Sequence, residues 1–451
     1  MKTTDVLVIG SSAAGLVAAL AGKRVYPEKK VTVIRKENKT LVPCGIPYTF
    51  GSIEGTNADI LPSDKMFENS DIDLIIGEVI SINREKKTCA LSDGLELSYS
   101  KLVLATGSVP TIPKWLKGTH LKNVFSVPKD KDYLDEMNRE IANCKKIVVV
   151  GAGFIGVELS DELRKSGKEI VLIEKLPHIL GMAFDKEISI KAEEILKEKG
   201  IEIKLGVGVK EFLGDAKVNR VLLDNGDEIE TDAVVLSVGY HSNSKLAEKA
   251  GLSINDMGCI KVDEYMRTDD QDIFAIGDCA EKRDFITRKQ SYGMLASTAC
   301  AEARIAGVNL FQLCAIKTFS GTISIFSTVI GETAFGVAGI TETQARNEGF
   351  DIVTGVFEGI DKHPGTLKET KKQMVKLIVG KESGVIIGGE VVGGMSVGEL
   401  TNAIGIIIQN KMNINSLLTL QVGTHPLLTA SPAGYPLLKA AGNAAVQIMF
   451  N

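Results

Sequence analysis

The chain has 451 residues, 52 basic against 57 acidic, a net charge of −5, and 44% hydrophobic residues. That is enough apolar material for a sizeable core spread over about three units of roughly 150 residues, which excludes disorder as the main state. No long block of one sign appears, so the strongly positive field of a nucleic-acid binder is missing and no nucleic-acid partner is expected.

Residues 6–22 are nearly uncharged and follow Lys2, as in a secretory signal, but the run opens as a β segment and ends at Lys23 and Arg24 without a small-residue cleavage site. No other uncharged stretch reaches the roughly 18 apolar residues of a membrane span, so a soluble protein without a membrane partner is expected. The periodicity predicts a strand from Asp5 to Ile9, a small-residue helix from about Ala13 to Arg24, and a strand from Val31 to Arg35. The turn between strand and helix, IGSSAAG, keeps Gly10 and Gly15 around Ser12, Ala13 and Ala14. Ser12 stands where a second glycine is usual, and Arg35 where an acidic residue is, although Glu37 is near enough to reach back. By itself this unit fits a nucleotide site and a plain structural turn equally well.

Cys44 follows in LVPCGIPY, about ten residues beyond the second strand. At the start of a helix a thiolate gains from free N–H groups and the dipole, so a lowered pKa is expected there; without context a cysteine is more often inert core. The other cysteines, Cys89, Cys144, Cys259, Cys279, Cys300 and Cys314, form no CxxC pair or zinc-finger spacing. This sparse usage suits a reducing cytoplasm, and no metal centre is expected. The segment KLVLATGSVP then ends a β run in a turn at Thr106 and Gly107.

A second strand–turn–helix–strand unit lies about 140 residues after the first: strand Lys146 to Val150, helix Phe154 to Ser166, strand Glu169 to Glu174. Its GAGFIG places Gly151, Gly153 and Gly156 in GxGxxG, with Phe154 and Ile155 opening the helix. The first glycine permits the tight turn, the second lets backbone approach a pyrophosphate, and the third lets helix and strand pack closely. The helix N-terminus supplies N–H groups and dipole for the phosphates. Glu174 ends the next strand, 23 residues after Gly151, where a carboxylate accepts from ribose hydroxyls and repels a 2′-phosphate, so NADH is favoured over NADPH. Farther on, DIFAIGDCA ends another β run at Gly277 and Asp278. From about Phe319 alternating apolar runs and one apolar helix, Val397 to Ile408, predict an antiparallel sheet with helices. The KAEEILKEKG run reads as a solvated helix face.

Together, IGSSAAG, ATGSVP, GAGFIGVE and AIGDCA, in this order and spacing, resemble the pyridine nucleotide-disulfide oxidoreductases, over essentially the whole chain. The resemblance implies an α/β fold: two doubly wound Rossmann-like dinucleotide-binding domains plus a C-terminal α+β dimerisation domain. The implied divisions are an FAD-binding domain at 1–120 and 256–318, an NAD-binding domain at 121–255 and a dimerisation domain at 319–451, in a homodimer. It implies FAD in the first unit, with Asp278 on the flavin ribityl chain, and NADH in the second, with Glu158 near the nicotinamide and Gly239 at the cofactor. Read alone, Glu158 is equally a helix-surface charge.

Thr49 stands where a second redox cysteine would complete CxxxxC, so PCGIPY resembles the single-cysteine branch: coenzyme A-disulfide reductases, persulfide reductases, NADH oxidases and NADH peroxidases. The implied chemistry is a relay from NADH through flavin to Cys44, reducing a coenzyme A disulfide or persulfide, or polysulfide; the alternative is oxygen or peroxide reduction through a sulfenic acid. An electron-transfer reductase for a protein partner is a third reading, and Cys44 argues against it. Lys23 and Arg24 match basic residues that grip coenzyme A phosphates, and equally suit a helix C-terminus. His425, in THPLL, matches an acid-base histidine supplied across a dimer, but Ala430 replaces its orienting glutamate. His363 and Thr424 stand where the coenzyme A enzymes have tyrosines, and Tyr435 lies nearby.

Overall fold

The computed structural model describes residues 2–314 and 319–450, so the expected division at 318/319 lies outside the described residues. The strand Lys2–Ile9 is apolar along its second half because both faces are covered, as in the centre of a parallel sheet. It pairs in parallel with Val31–Arg35 on one side and Glu96–Leu104 on the other. Asp73–Ile76 extends the first edge, Ile273–Ala275 joins Glu96–Leu104 in parallel, and Thr88–Leu91 and Val79–Asn83 add an antiparallel flank. A segment more than 160 residues later in sequence thus completes the first sheet.

The second sheet is wholly parallel, in the order Glu202–Leu205, Glu169–Glu174, Lys146–Val150, Ala233–Leu236, Val124–Ser126. A short antiparallel ribbon, Ser108–Pro110 against Tyr240–Ser242, ties it to the first. The dinucleotide helix runs Phe154–Lys165, close to the predicted span. The third sheet is antiparallel, Phe326–Ile330, Thr333–Gly339, Ile386–Gly393, Lys372–Gly380, Ile352–Ile360, with helices Val397–Gln409 and Pro436–Phe450 packed on it. At Gly355 any side chain would meet the Ala440 carbonyl at 2.0 Å, so the missing Cβ is what lets the last helix lie against its strand. The edge strand Ile352–Ile360 was not legible in the sequence, because its alternation is broken by Gly355, Glu358 and Gly359.

The second and third sheets share a core with the Cys44 segment. One apolar cluster contains Ile46 and Phe50 beside Cys44, Val149 and Leu172 of the second sheet, and Phe335 and Val392 of the third. Phe154, at the start of the dinucleotide helix, stacks on Phe326 with ring centroids 5.0 Å apart. A buried polar clasp reinforces the same seam. Asp185 stands at the N-cap position of the dinucleotide unit's helix Lys186–Glu198, and its carboxylate accepts instead from the backbone N–H groups of Glu342 and Thr343 at 3.0 Å each. Lys376 then reaches Asp185 at 2.9 Å, Glu187, and Glu342 at 2.9 Å. Asp185, Glu187 and Glu390 lie within 4.8 Å of one another, a spacing fit for a cation, and the cation beside them is the Lys376 ammonium. No helix among the described residues is long and apolar enough to cross a membrane.

Candidate active site

A cleft of about 480 Å³ opens at the carboxyl ends of the first sheet, bordered by Gly10, Ser12, Arg35, Glu37, Thr106 and Gly107. Ligands of doubly wound sheets bind at such an edge. Gly10 adopts φ +109°, and a Cβ there would strike the Ala105 carbonyl at 2.2 Å; a side chain at Gly15 would meet the Gly10 carbonyl at 1.9 Å. The turn is thus pinned and leaves the start of helix Ala13–Val25, with Ser12 at its N-cap, facing the cleft. Ala14 and Gly15 are buried, and Ala13 is partly so. The chemistry of this edge, a glycine turn, helix N–H groups and a long cleft, suits a dinucleotide.

Arg35, expected at the cofactor, has several of its donors engaged within the protein. It borders the cleft, but its guanidinium donates to the Glu37 carbonyl at 2.8 Å and the Asn38 carbonyl at 2.6 Å and pairs with Asp64. The hydrogen bond from Arg35 holds the Asp64 carboxyl well below the usual range, against burial. With those donors engaged, Arg35 shapes the cleft wall. Thr106 donates to the Asn243 carbonyl at 2.6 Å, and Gly107 and Gly277 both take φ +70°.

The second glycine turn follows the same logic. Gly151 has φ +97°, Gly156 is packed so that a Cβ would sit 1.9 Å from the Gly151 carbonyl, and Gly153 faces open space. Glu174 lies where the spacing predicts, and its carboxylate accepts from the N–H of Ala152 at 2.7 Å and of Leu176 at 2.8 Å. It is therefore held at the mouth of the turn. Ile155 is half-buried against the shared core, and Gly239, with φ +97°, is exposed beside the Ser108–Pro110/Tyr240–Ser242 ribbon.

Cys44 sits where the two units meet. It precedes a short 3₁₀ turn, Ile46–Phe50, whose packing is fixed from both sides. Glu162 of the dinucleotide helix accepts from the Ser52 N–H and hydroxyl, while Thr49, buried, donates to the Ile46 carbonyl at 2.8 Å. One helical turn before Glu162, Glu158 accepts from Thr328 of the third sheet at 2.7 Å and lies beside the Tyr48 hydroxyl. Glu158 is thus a site group: burial pushes its carboxyl up to about 7, with Thr328 and Tyr48 pulling against that rise. On the other side, Asp278 accepts from Ser108 at 2.7 Å and Lys129 at 2.8 Å. Burial would raise Asp278, but the Lys129 charge, the hydrogen bonds from Lys129 and Ser108 and the Lys282 charge together outweigh it and keep the carboxyl below the usual range.

Cys44 is exposed as a residue, yet its thiol lies in a recess whose walls displace much of its water. Burial by those walls pushes the thiol up, Glu158 adds to the rise, and Lys129 opposes it. This corrects the expectation of a lowered pKa: one short 3₁₀ turn has too little aligned dipole to offset a neighbouring carboxylate. The positive partner that favours thiolate here is Lys129. It sits in no motif, so the sequence carried no signal for it; Tyr48, by contrast, lay inside PCGIPY.

The remaining candidates lie apart from this group. Lys23 pairs with Asp71 at 3.0 Å and donates to the Lys29 carbonyl at 3.2 Å, and Arg24 is exposed. His363 joins the His425 segment through its Nδ1 and the Thr429 carbonyl, 3.0 Å apart, and through its N–H donated to the Pro426 carbonyl at 3.2 Å. His425 is exposed and its described hydrogen bonds stay within residues 425–429. One chain therefore brings Cys44, Tyr48, Lys129, Glu158 and Asp278 together, without either histidine.

Residues 4–303 match the family model for pyridine nucleotide-disulphide oxidoreductases, and residues 325–433 match that family's dimerisation domain. An NADH oxidase of Methanocaldococcus jannaschii is 32% identical over 433 residues, 92% of this chain and 93% of its own. A coenzyme A-dependent NAD(P)H sulfur oxidoreductase of Pyrococcus abyssi is 32% identical over 418 residues, 90% and 91% of the two chains. Among solved structures, an NAD-dependent persulfide reductase from A. fulgidus superposes with a TM-score of 0.90 at 30% identity, over 98% of this chain and 83% of that one. The chain belongs to the pyridine nucleotide-disulphide oxidoreductase family and is an NAD(P)H-dependent oxidoreductase.

Proposed function

We propose that the protein uses NADH and FAD to reduce low-molecular-weight disulfides or persulfides, such as coenzyme A derivatives or polysulfide, through Cys44 alone. The observation that carries this is one exposed cysteine, Cys44, set among Glu158 of the second glycine-turn helix and Lys129 and Asp278 on the side of the first cleft, with Thr49 in place of a second cysteine. FAD would lie in the first cleft along Gly10, Ser12, Thr106, Gly107 and Asp278, and NADH along Gly151, Gly153, Gly156 and Glu174. A bound flavin supplies two-electron transfer between nicotinamide and sulfur.

The Cys44 thiolate attacks one sulfur of a substrate R–S–S–R′. A Cys44–S–S–R bond forms as the substrate bond breaks, and R′–S⁻ leaves and takes a proton. Lys129 stabilises the thiolate, and Glu158, titrating near neutral pH, holds a proton within the same recess. The domain divisions 1–120 with 256–318, 121–255 and 319–451 are part of this reading. So is a homodimer, supported by the exposed apolar Val446, Met449 and Phe450 of the last helix; His425 and His363 would act from its far side. Lys23 and Arg24 would meet coenzyme A phosphates. A cytoplasmic location is supported by seven free cysteines.

The oxidase alternative, supported by the Methanocaldococcus relative, uses the same residues with oxygen or peroxide as acceptor. NADH consumption is measured with coenzyme A disulfide, coenzyme A persulfide, polysulfide and oxygen, for wild type and Cys44→Ser. Turnover with a sulfur acceptor that is abolished by the substitution supports the proposal. Undiminished sulfur turnover in Cys44→Ser removes it, and turnover with oxygen alone selects the oxidase.

A further inference from the structure

Behind the Asp278 turn lies a buried ion pair that the reaction outlined above does not use. Lys282 and Glu302 have side chains 3% and 0% exposed, with Nζ 3.4 Å from Oε1. Their remaining polar contacts converge on the backbone of the turn that carries Asp278. Glu302 Oε2, from helix Ala296–Val308, accepts from the Gly277 N–H at 2.7 Å. Lys282 Nζ donates to the Gly277 carbonyl, and to the Ala280 carbonyl at 3.1 Å.

The gripped segment is a single three-residue turn, Gly277–Cys279, entered at φ +70°. One such turn has almost no internal hydrogen bonding to hold its orientation. The two side chains supply that hold from the core side, while Ser108 and Lys129 meet the Asp278 carboxylate on the cleft side. The charges alternate outward, Glu302, Lys282, Asp278, Lys129, and Lys282 acts on Asp278 in the same sense as Lys129.

We propose that Lys282 and Glu302 are positioning residues for Asp278, clamping the Gly277 residue at both its N–H and its carbonyl so that the carboxylate meets the flavin at a fixed place. The inference rests on the flavin reading of the first cleft. Neither residue touches that cleft; both act through the turn.

The test is FAD retention by the full-length holoenzyme, followed as recovery of flavin fluorescence on dilution, for wild type, Lys282→Met, Glu302→Gln, Asp278→Asn and Lys282→Met with Asp278→Asn. Lys282→Met is expected to weaken FAD binding by about tenfold to a hundredfold, the scale of a lost charge-assisted hydrogen bond. In the Asp278→Asn background the same change should cost about threefold or less, because its effect passes through that carboxylate. A merely structural pair would lower the melting temperature and leave FAD affinity unchanged, or add its full cost in both backgrounds; either result overturns the proposal. Should Lys282→Met fail to fold, the near-isosteric Glu302→Gln decides: wild-type FAD affinity with it refutes the clamp, and weakened affinity that vanishes beside Asp278→Asn upholds it. A wild-type protein that takes up no FAD refutes instead the flavin reading of the cleft, and the clamp with it.

Discussion

Replacing Lys376 by methionine removes the cation from the clasp between the second and third sheets. Lys376 is 4% exposed, and it leaves behind Asp185 at 2% and Glu390 at 0%. Breaking a buried pair by deleting one partner costs about 3–5 kcal/mol. Asp185 keeps its two backbone donors, and Glu187, about half exposed, loses little, so the lower end, about 3 kcal/mol, applies. For a melting unit of about 150–250 residues this is a fall of about 6–12 °C by scanning calorimetry. The pH dependence follows from the shifts. Burial would raise Asp185, but Lys376 and Thr343 outweigh it and depress its pKa, so its contribution is full above about pH 4 and fades as pH falls below the unfolded value. Burial would lower Lys376, but Asp185, Glu187 and Glu342 outweigh it and raise its pKa. Its contribution is full below about pH 10 and lost as pH rises beyond. Lys376→Met should therefore flatten the alkaline limb of the stability curve. A fall of less than about 2 °C at pH 7, with the alkaline limb unchanged, would refute the argument.

Other expectations concern the site itself. Glu158→Gln removes the carboxylate that opposes the Cys44 thiolate; iodoacetamide should alkylate Cys44 about three to ten times faster at pH 8, and an unchanged or slower rate would count against Glu158 as its neighbour. Glu174→Ala is expected to narrow the preference for NADH over NADPH by about tenfold in kcat/KM, and an unaltered ratio removes that assignment. A Cβ at Gly45 would lie 1.8 Å from Asp59 Oδ1, so Gly45→Ala should cost about 1–3 kcal/mol and disturb Cys44 alkylation. Adding Asp59→Ala should relieve both effects; persistence of the loss would mean that the contact is not its cause.

Features built from neighbouring residues were determined by the sequence. Both glycine turns, the strand and helix around each, the apolar runs of the third sheet and the isolation of Cys44 from a second cysteine are legible because their causes act over a few positions: tight turns need glycine, and buried parallel strands need unbroken apolar runs. Glu174 was legible too, since strand length fixes its distance from Gly151. Tertiary structure alone decided the electrical setting of Cys44. Lys129, Glu158 and Asp278 come from three separate parts of the chain, and their balance with burial reverses the shift that a helix start suggests. It also decided that Arg35 engages its own loop and Asp64, that Lys376 fills a carboxylate cluster and that Lys282 and Glu302 meet behind Asp278. Such groups are joined by the crossing of sheets, and the energy of a charge depends on which others share its low-dielectric surroundings, a quantity no local pattern encodes.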